Sequence, residues 1–283
     1  DAERSELTQE QAFGEGFLKW LYESRSGSLL GQFLVHSIPC SIYGLLKNRK
    51  SSRSEVYNFV EKFKINTSEY PPLESYKNFN EFFAREFLPN KRKFSSSPDV
   101  LSAFCEGRYL ISDSQNPVHL KGSLIEPLKL LEGMAEAQEF MEATALICRL
   151  APVDYHWFHF PDDGEVIKIK KINGPLHSVS PISLRATPNV LNTNKRVVSI
   201  LECKNLGRVA FVEIGAFCVG TIKQKYQNKS FSKLDQKGHF LFGGSTVVLL
   251  INKEIKFHSE LKKYSKEGIE TYFKLGSDIG RVE

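Results

Sequence analysis

No stretch of this 283-residue chain reads as a membrane-spanning helix. A span needs roughly 20 predominantly apolar residues, and the most apolar window, Leu29 to Leu46, is broken by Gly31, Gln32, His36, Pro39 and Gly44. Cysteine is scarce and unpatterned. Cys40, Cys105, Cys148, Cys203 and Cys218 show no CxxC spacing and sit in apolar surroundings, so the sequence predicts reduced, buried thiols and neither a zinc site nor a disulfide framework. No metal is expected. Charge of one sign is also lacking: 38 basic against 33 acidic side chains point to no nucleic-acid partner, although the surplus suits an anionic membrane surface. The chain begins at Asp1 without a methionine, which raises the expectation that a targeting segment or anchor was removed.

With 41% apolar residues, the chain can bury a substantial core. Residues Gln11 to Leu46 carry an amphipathic helical pattern with a turn at Ser26-Gly27, followed by the basic run Lys47, Arg49, Lys50 and Arg53. Val56, Phe59, Val60 and Phe63 fall at i, i+3, i+4 and i+7, which predicts a further helix. A stripe of Phe79, Phe82, Phe83 and Phe87 follows and reads as core, while Lys91-Arg92-Lys93 reads as a linker. Strands are predicted at Tyr109–Ile111, Ala145–Leu150, Val166–Ile172, Val197–Leu201, Val209–Ile214 and Thr246–Ile251, with one helix from Pro127 to Phe140. The fold class expected is α+β, an N-terminal helical layer packed on an antiparallel β-sandwich. Residues 1–98 form the helical, membrane-facing region and 99–283 the β-rich catalytic core.

Chemistry concentrates at Phe242-Gly243-Gly244-Ser245-Thr246. Two glycines free the backbone for turns closed to other residues, and the β-branched run Thr246–Ile251 reads as a buried strand. A serine hydroxyl at the start of a rigid strand, beside an unshielded glycine carbonyl, can attack that carbonyl once a base takes its proton. A glycine turn entering a core strand is the plainer reading of those residues alone. Among the seven histidines, His156 and His159 in Asp154-Tyr-His-Trp-Phe-His159 follow a predicted strand end at Pro152, where a loop can present polar side chains. Asp162 and Asp163 follow them, but no third ligand at metal-site spacing is present.

The stretch Leu150–Gly164 resembles the histidine motif of phosphatidylserine decarboxylases, and Phe242–Thr246 resembles their self-cleavage motif. Three further stretches, Asn78–Leu88, Ile172–Val179 and Val212–Ile222, follow the family's order, so the similarity runs from about Phe79 to Ile251. The resemblance implies that Ser245 attacks Gly244, leaving a β chain ending at Gly244 and an α chain of 39 residues (283 − 244) capped by a pyruvoyl group. It further implies that His159 is the base for that attack, that Glu106 occupies the place of the carboxylate that orients it, and that His156 donates a proton during decarboxylation. The mature activity implied is conversion of phosphatidylserine to phosphatidylethanolamine and carbon dioxide, with the terminal ketone as electron sink.

Two positions depart from the family. Glu106 stands where aspartate is usual, which leaves Asp154 as an alternative orienter, and Trp157 stands where arginine is common, its ring suited to a lipid interface. Gly215, Ala216 and Gly220 are expected near the pocket as points of close strand approach. The partners expected are phosphatidylserine, an anionic membrane surface and the chain's own two fragments, with a homodimer as a further expectation; localisation is peripheral to a membrane. Three readings compete: a lipid-binding homologue that is unprocessed, a pyruvoyl decarboxylase of a soluble amino acid, and a serine hydrolase. The last lacks its Gly-x-Ser-x-Gly elbow.

Overall fold

A computed structural model of the chain describes residues 15–35, 37–113, 125–187, 189–217, 221–242 and 245–283. Gly243, Gly244, Cys218, Gly220, His36 and His119 lie outside the described residues, as does the side chain of Cys40. The N-terminal region forms α1 (Glu15–Glu23), α2 (Arg25–Leu34), α3 (Ser37–Lys47), α4 (Ser54–Phe63) and the short α5 (Phe79–Phe83). Two helices are thus three: the first break falls at Ser24, whose Oγ accepts from the Gly27 N–H. Ser26-Gly27 continues inside α2.

Strands begin with β1 (Val100–Ser102), β2 (Gly107–Ser112), β3 (Thr144–Leu150), β4 (Trp157–His159) and β5 (Gly164–Ile172). They continue with β6 (Arg196–Cys203), β7 (Gly207–Gly215), β8 (Ile222–Gln224), β9 (Ser230–Phe231) and β10 (Gln236–Phe240). The last four are β11 (Ser245–Ile251), β12 (Ile255–Phe257), β13 (Thr271–Phe273) and β14 (Asp278–Val282). Helices α6 (Pro127–Leu130), α7 (Pro181–Ala186), α8 (Val190–Thr193) and α9 (Ser259–Lys266) fall between them. The helix expected over Pro127–Phe140 breaks because Gly133 takes φ +67°, a left-handed conformation that glycine adopts without cost, and the chain resumes as a 3-10 turn at Ala135–Phe140.

An eight-stranded antiparallel sheet of order β13-β2-β3-β11-β7-β6-β5-β9 carries the molecule. Its centre is β11, paired along its whole length with β3 on one side and β7 on the other. Alternation divides its side chains: Val247, Leu249 and Ile251 enter one buried cluster, Val248 and Leu250 the other. Each such side chain contributes about 1.5–3 kcal/mol by leaving water. Two small sheets, β1-β14-β12 and β4-β10-β8, cover the first face through Leu101, Ile279, Phe158 and Phe240. The other face lies under α6, the 3-10 turn, α7 and α8, through Leu130, Phe140, Leu184 and Leu191.

The architecture is therefore α+β with a sandwich, as expected, but mid-chain segments make the helical cover of the main sheet. The N-terminal α4 and α5 build a cluster of their own from Val56, Phe59, Phe79, Phe82 and Phe83, closed by Phe242. Cys105, Cys148 and Cys203 are free and buried, in accord with reduced thiols. Among the described residues no helix is long and apolar enough to cross a membrane.

Candidate active site

Ser245 is the first residue of β11, held opposite Leu150 of β3 and Gly215 of β7, so its backbone is fixed from both sides. At Leu150 the neighbouring strand ends, and the chain turns back over the serine. Asp154 makes that turn: its Oδ2 accepts from the Ala151 N–H at 2.7 Å and from Arg108 Nη1 at 2.6 Å, while its own N–H donates to the Ala151 carbonyl at 2.9 Å. The turn delivers His156, whose Nδ1 stands 3.4 Å from Ser245 Oγ. Both side chains are fully buried. Burial, followed by the nearby Arg85 cation, lowers the His156 pKa to about 3, so the ring is neutral and able to accept a proton. Its Nε2 is buried without a partner.

Phe83, the last residue of α5, stacks on the His156 ring with centroids 3.9 Å apart. Arg85 Nη2 donates to the carbonyls of Val153 at 2.7 Å and Asp154 at 3.1 Å. Trp157 is not a lipid-facing ring: it is buried, its Nε1–H donates to the Ala84 carbonyl at 2.9 Å, and Lys225 sits over its face.

His159 occupies the opposite side of β4. Its Nδ1–H donates to the Leu234 carbonyl at 2.7 Å, which leaves Nε2 as the acceptor facing Tyr155 Oη at 3.5 Å. Burial, only partly offset by that carbonyl, lowers its pKa to about 4. The ring lines a cleft of about 600 Å³ with Tyr155, Arg92, Tyr226, Asn228 and Leu275. Ser245 is not among the residues that line this cleft.

Nor does Glu106 reach His159. Arg92 grips it through Nε at 2.6 Å and Nη2 at 2.7 Å, and Tyr272 Oη and the Leu275 N–H complete its shell at 3.2 and 3.1 Å. The two segments are joined by the His159 N–H donating to the Phe104 carbonyl at 2.8 Å. Arg92 lies in the linker expected between α5 and β1, but its side chain is buried, joins Glu69 as well as Glu106, and stacks on Phe87 at 3.8 Å. The structure thus brings together Ser245 and His156 of the predicted set, and places His159 and Glu106 apart from them. Gly215 meets the serine across the ladder, and Ala216 is buried beside it.

A family model for phosphatidylserine decarboxylase matches residues 79–281. This chain belongs to the phosphatidylserine decarboxylase family. Curated relatives extend the likeness over nearly the whole length. A phosphatidylserine decarboxylase proenzyme of Clostridium kluyveri is 38% identical over 278 residues, covering 96% of this chain and 94% of the relative. One from Ruminiclostridium cellulolyticum is 38% identical over 278 residues, covering 96% and 93%. Phosphatidylserine decarboxylase proenzyme 2 of Clostridium acetobutylicum is 38% identical over 281 residues, covering 98% and 96%. Phosphatidylserine decarboxylases are generally pyruvoyl-dependent. The buried serine, the neutral imidazole beside it and the unpartnered Nε2 suit a site where a serine is converted and a proton is moved. Among the described residues no cluster could hold a metal.

The site also contains residues that the sequence reading missed. Phe83 and Arg85 belong to Asn78–Leu88, a stretch that follows the family's order but gives no role to either; an arginine inside an aromatic stripe is the available signal. Lys237 is another: it is fully buried, pairs with Glu213 of β7, and donates to Ser199 Oγ and Gln224 Oε1, each at 2.9 Å. That pair pins β10, and so the layer carrying the histidines, onto the main sheet. Within that layer Gly238 permits the close approach of β10 to β8, since a Cβ there would lie 2.1 Å from the Lys223 carbonyl oxygen.

Proposed function

We propose that this chain is a self-processing phosphatidylserine decarboxylase that cuts itself between Gly244 and Ser245. The observation that carries this reading is the 3.4 Å approach of Ser245 Oγ to a buried, neutral His156 at the start of the central strand. Such contacts tighten as a reaction proceeds. His156 takes the hydroxyl proton as Ser245 Oγ attacks the Gly244 carbonyl carbon; the peptide C–N bond breaks, the serine amine gains a proton, and an ester joins the two residues. Loss of the Ser245 α-proton then expels the Gly244 carboxylate from Cβ, and water replaces the resulting enamine nitrogen as ammonia. The residue left at the new terminus is a pyruvoyl group, whose ketone, when present, accepts the electrons released as carbon dioxide leaves an amine substrate. His156 is the proton-carrying group beside Ser245, which suits it also to return a proton to the product. Mass spectrometry should find a β chain ending at Gly244 and a 39-residue pyruvoyl-capped α chain (283 − 244), and phosphatidylserine vesicles should yield phosphatidylethanolamine. Ser245→Ala should give one uncut, inactive chain. A wild-type chain that stays intact on long incubation would overturn the proposal.

The same proposal includes peripheral attachment to an anionic bilayer. Phe17 and Trp20 of α1, Leu30 of α2, and Ile42, Leu45 and Leu46 of α3 are exposed, and Arg49 and Lys50 follow exposed at the end of α3. Apolar side chains entering the interface and cations meeting acidic headgroups, each worth about 1 kcal/mol, would bring the site to its lipid. Ile42→Ser with Leu45→Ser should reduce flotation with anionic liposomes, and added salt should reduce it further. Unchanged flotation would place the docking surface elsewhere.

A further inference from the structure

We propose that the segment Phe83-Ala84-Arg85 positions His156 for attack on the chain, with Phe83 and Arg85 as positioning residues that act through the imidazole. The inference rests on the reading of His156 as the partner of Ser245. Three contacts from these consecutive residues converge on the turn that carries the histidine. Phe83 lies face to face with the ring, 3.9 Å between centroids and 24° between planes, which fixes the plane of the imidazole. The Ala84 carbonyl accepts from Trp157 Nε1 at 2.9 Å, anchoring the residue after it. Arg85 Nη2 joins the carbonyls of Val153 and Asp154, anchoring the residues before it.

Arg85 is itself an unusual group. Only 1% of it is exposed, its guanidinium lies 4.7 Å from the Tyr70 ring and 4.9 Å from the Phe82 ring, and its Nε has no partner. A cation buried among carbonyls and ring faces costs desolvation that a carboxylate would normally offset. Here the compensation comes from the Val153 and Asp154 carbonyls and the two ring faces, and the result is a fixed turn before His156. Its fork geometry allows one nitrogen to tie two successive carbonyls, which the point charge of lysine does less well. The serine hydroxyl and the imidazole already stand at the outer limit of hydrogen-bond distance, and a displacement of about 1 Å costs on the order of a hundredfold in rate.

The test is a time course of chain cutting in the full chain, with folding followed by circular dichroism. Arg85→Met keeps the stem and removes the donors, and should slow cutting roughly a hundredfold. Arg85→Lys keeps the charge and an ammonium donor group but loses the planar fork, and should recover part of the rate; a stem needed only for packing would be served equally by Met and Lys. Phe83→Leu removes the ring face without touching a polar group, should also slow cutting, and decides the matter if the Arg85→Met chain does not fold. His156→Ala is the reference. If it cuts at the wild-type pace, the assignment of His156 is overturned. If it is arrested while the folded Arg85 and Phe83 variants cut like wild type, the positioning role alone is overturned.

Discussion

His156 and His159 are three residues apart, yet they look onto different parts of the molecule. His156 faces the main sheet, its ring stacked under Phe83 and its Nδ1 beside Ser245. His159 faces away, tied by Nδ1 to the Leu234 carbonyl and bordering a cleft with Tyr155 and Arg92. Residues at i and i+3 share a face on a helix but lie on opposite faces of a strand, where side chains alternate. The Phe240 N–H donating to the His156 carbonyl shows that the β4–β10 ladder already governs the first histidine. Shared motif membership therefore does not place two imidazoles in one site. One stands beside the serine; the other is built into the wall of a cleft.

That division depends on the β4-β10-β8 layer keeping its register above the main sheet, and the Lys237–Glu213 pair is a buried tie between the two. Both side chains are completely buried. Lys237→Met should destabilise the fold by about 3–5 kcal/mol, because it leaves Glu213 as an unpaired buried charge. Lys237→Met with Glu213→Leu should restore much of that loss, read by urea denaturation; a double variant as unstable as the sum of the singles would mean that the two groups act separately.

A smaller effect is expected at Glu106. Its carboxylate answers to Arg92, Tyr272 and the Leu275 backbone, so Glu106→Gln should cost about 2 kcal/mol of stability, the scale of a hydrogen bond to a charged group. Cutting should proceed near the wild-type rate. Arrest of cutting in a folded Glu106→Gln chain would tie this carboxylate to the self-processing chemistry and blur the distinction between the two faces.

Acidity gives a gentler probe. Burial lowers the pKa of His156 to about 3 and of His159 and His239 to about 4. Unfolded, each would titrate near about 6.5, so below that pH the unfolded chain binds more protons than the folded one. Stability contributed by these neutral rings is complete above about pH 6.5 and declines as the pH falls through it. The cutting rate should be flat between about pH 5 and 8, because His156 remains neutral throughout; a rate that rises with a midpoint near about 6.5 would show a base of ordinary pKa.

The central strands of the main sheet were legible because they are apolar, β-branched and buried on both faces, as in Thr246–Ile251. The short ones were not. β4, β8 and β10 have three to five residues each, and Lys223, Lys237 and His239 break any apolar pattern. A lysine in a sequence reads as solvent-facing, so the buried Lys237–Glu213 pair had no local signature. Arg92 misled in the same way: within Lys91-Arg92-Lys93 it reads as a loop cation, and only the fold brings Glu69 and Glu106 to it. Ser245 is legible because the glycine pair before it and the apolar strand pattern after it are contiguous in the sequence. The sequence narrows its imidazole to two, and the family resemblance points to His159, whereas the 3.4 Å contact in the structure is with His156.

The most direct test compares His156→Ala and His159→Ala in one time course of chain cutting, followed by intact mass. If the two faces of β4 divide the work as described, His156→Ala remains a single chain of 283 residues while His159→Ala yields the fragment that begins at residue 245. Cutting of His156→Ala at the wild-type pace beside an intact His159→Ala would contradict the account and return the serine's proton to His159.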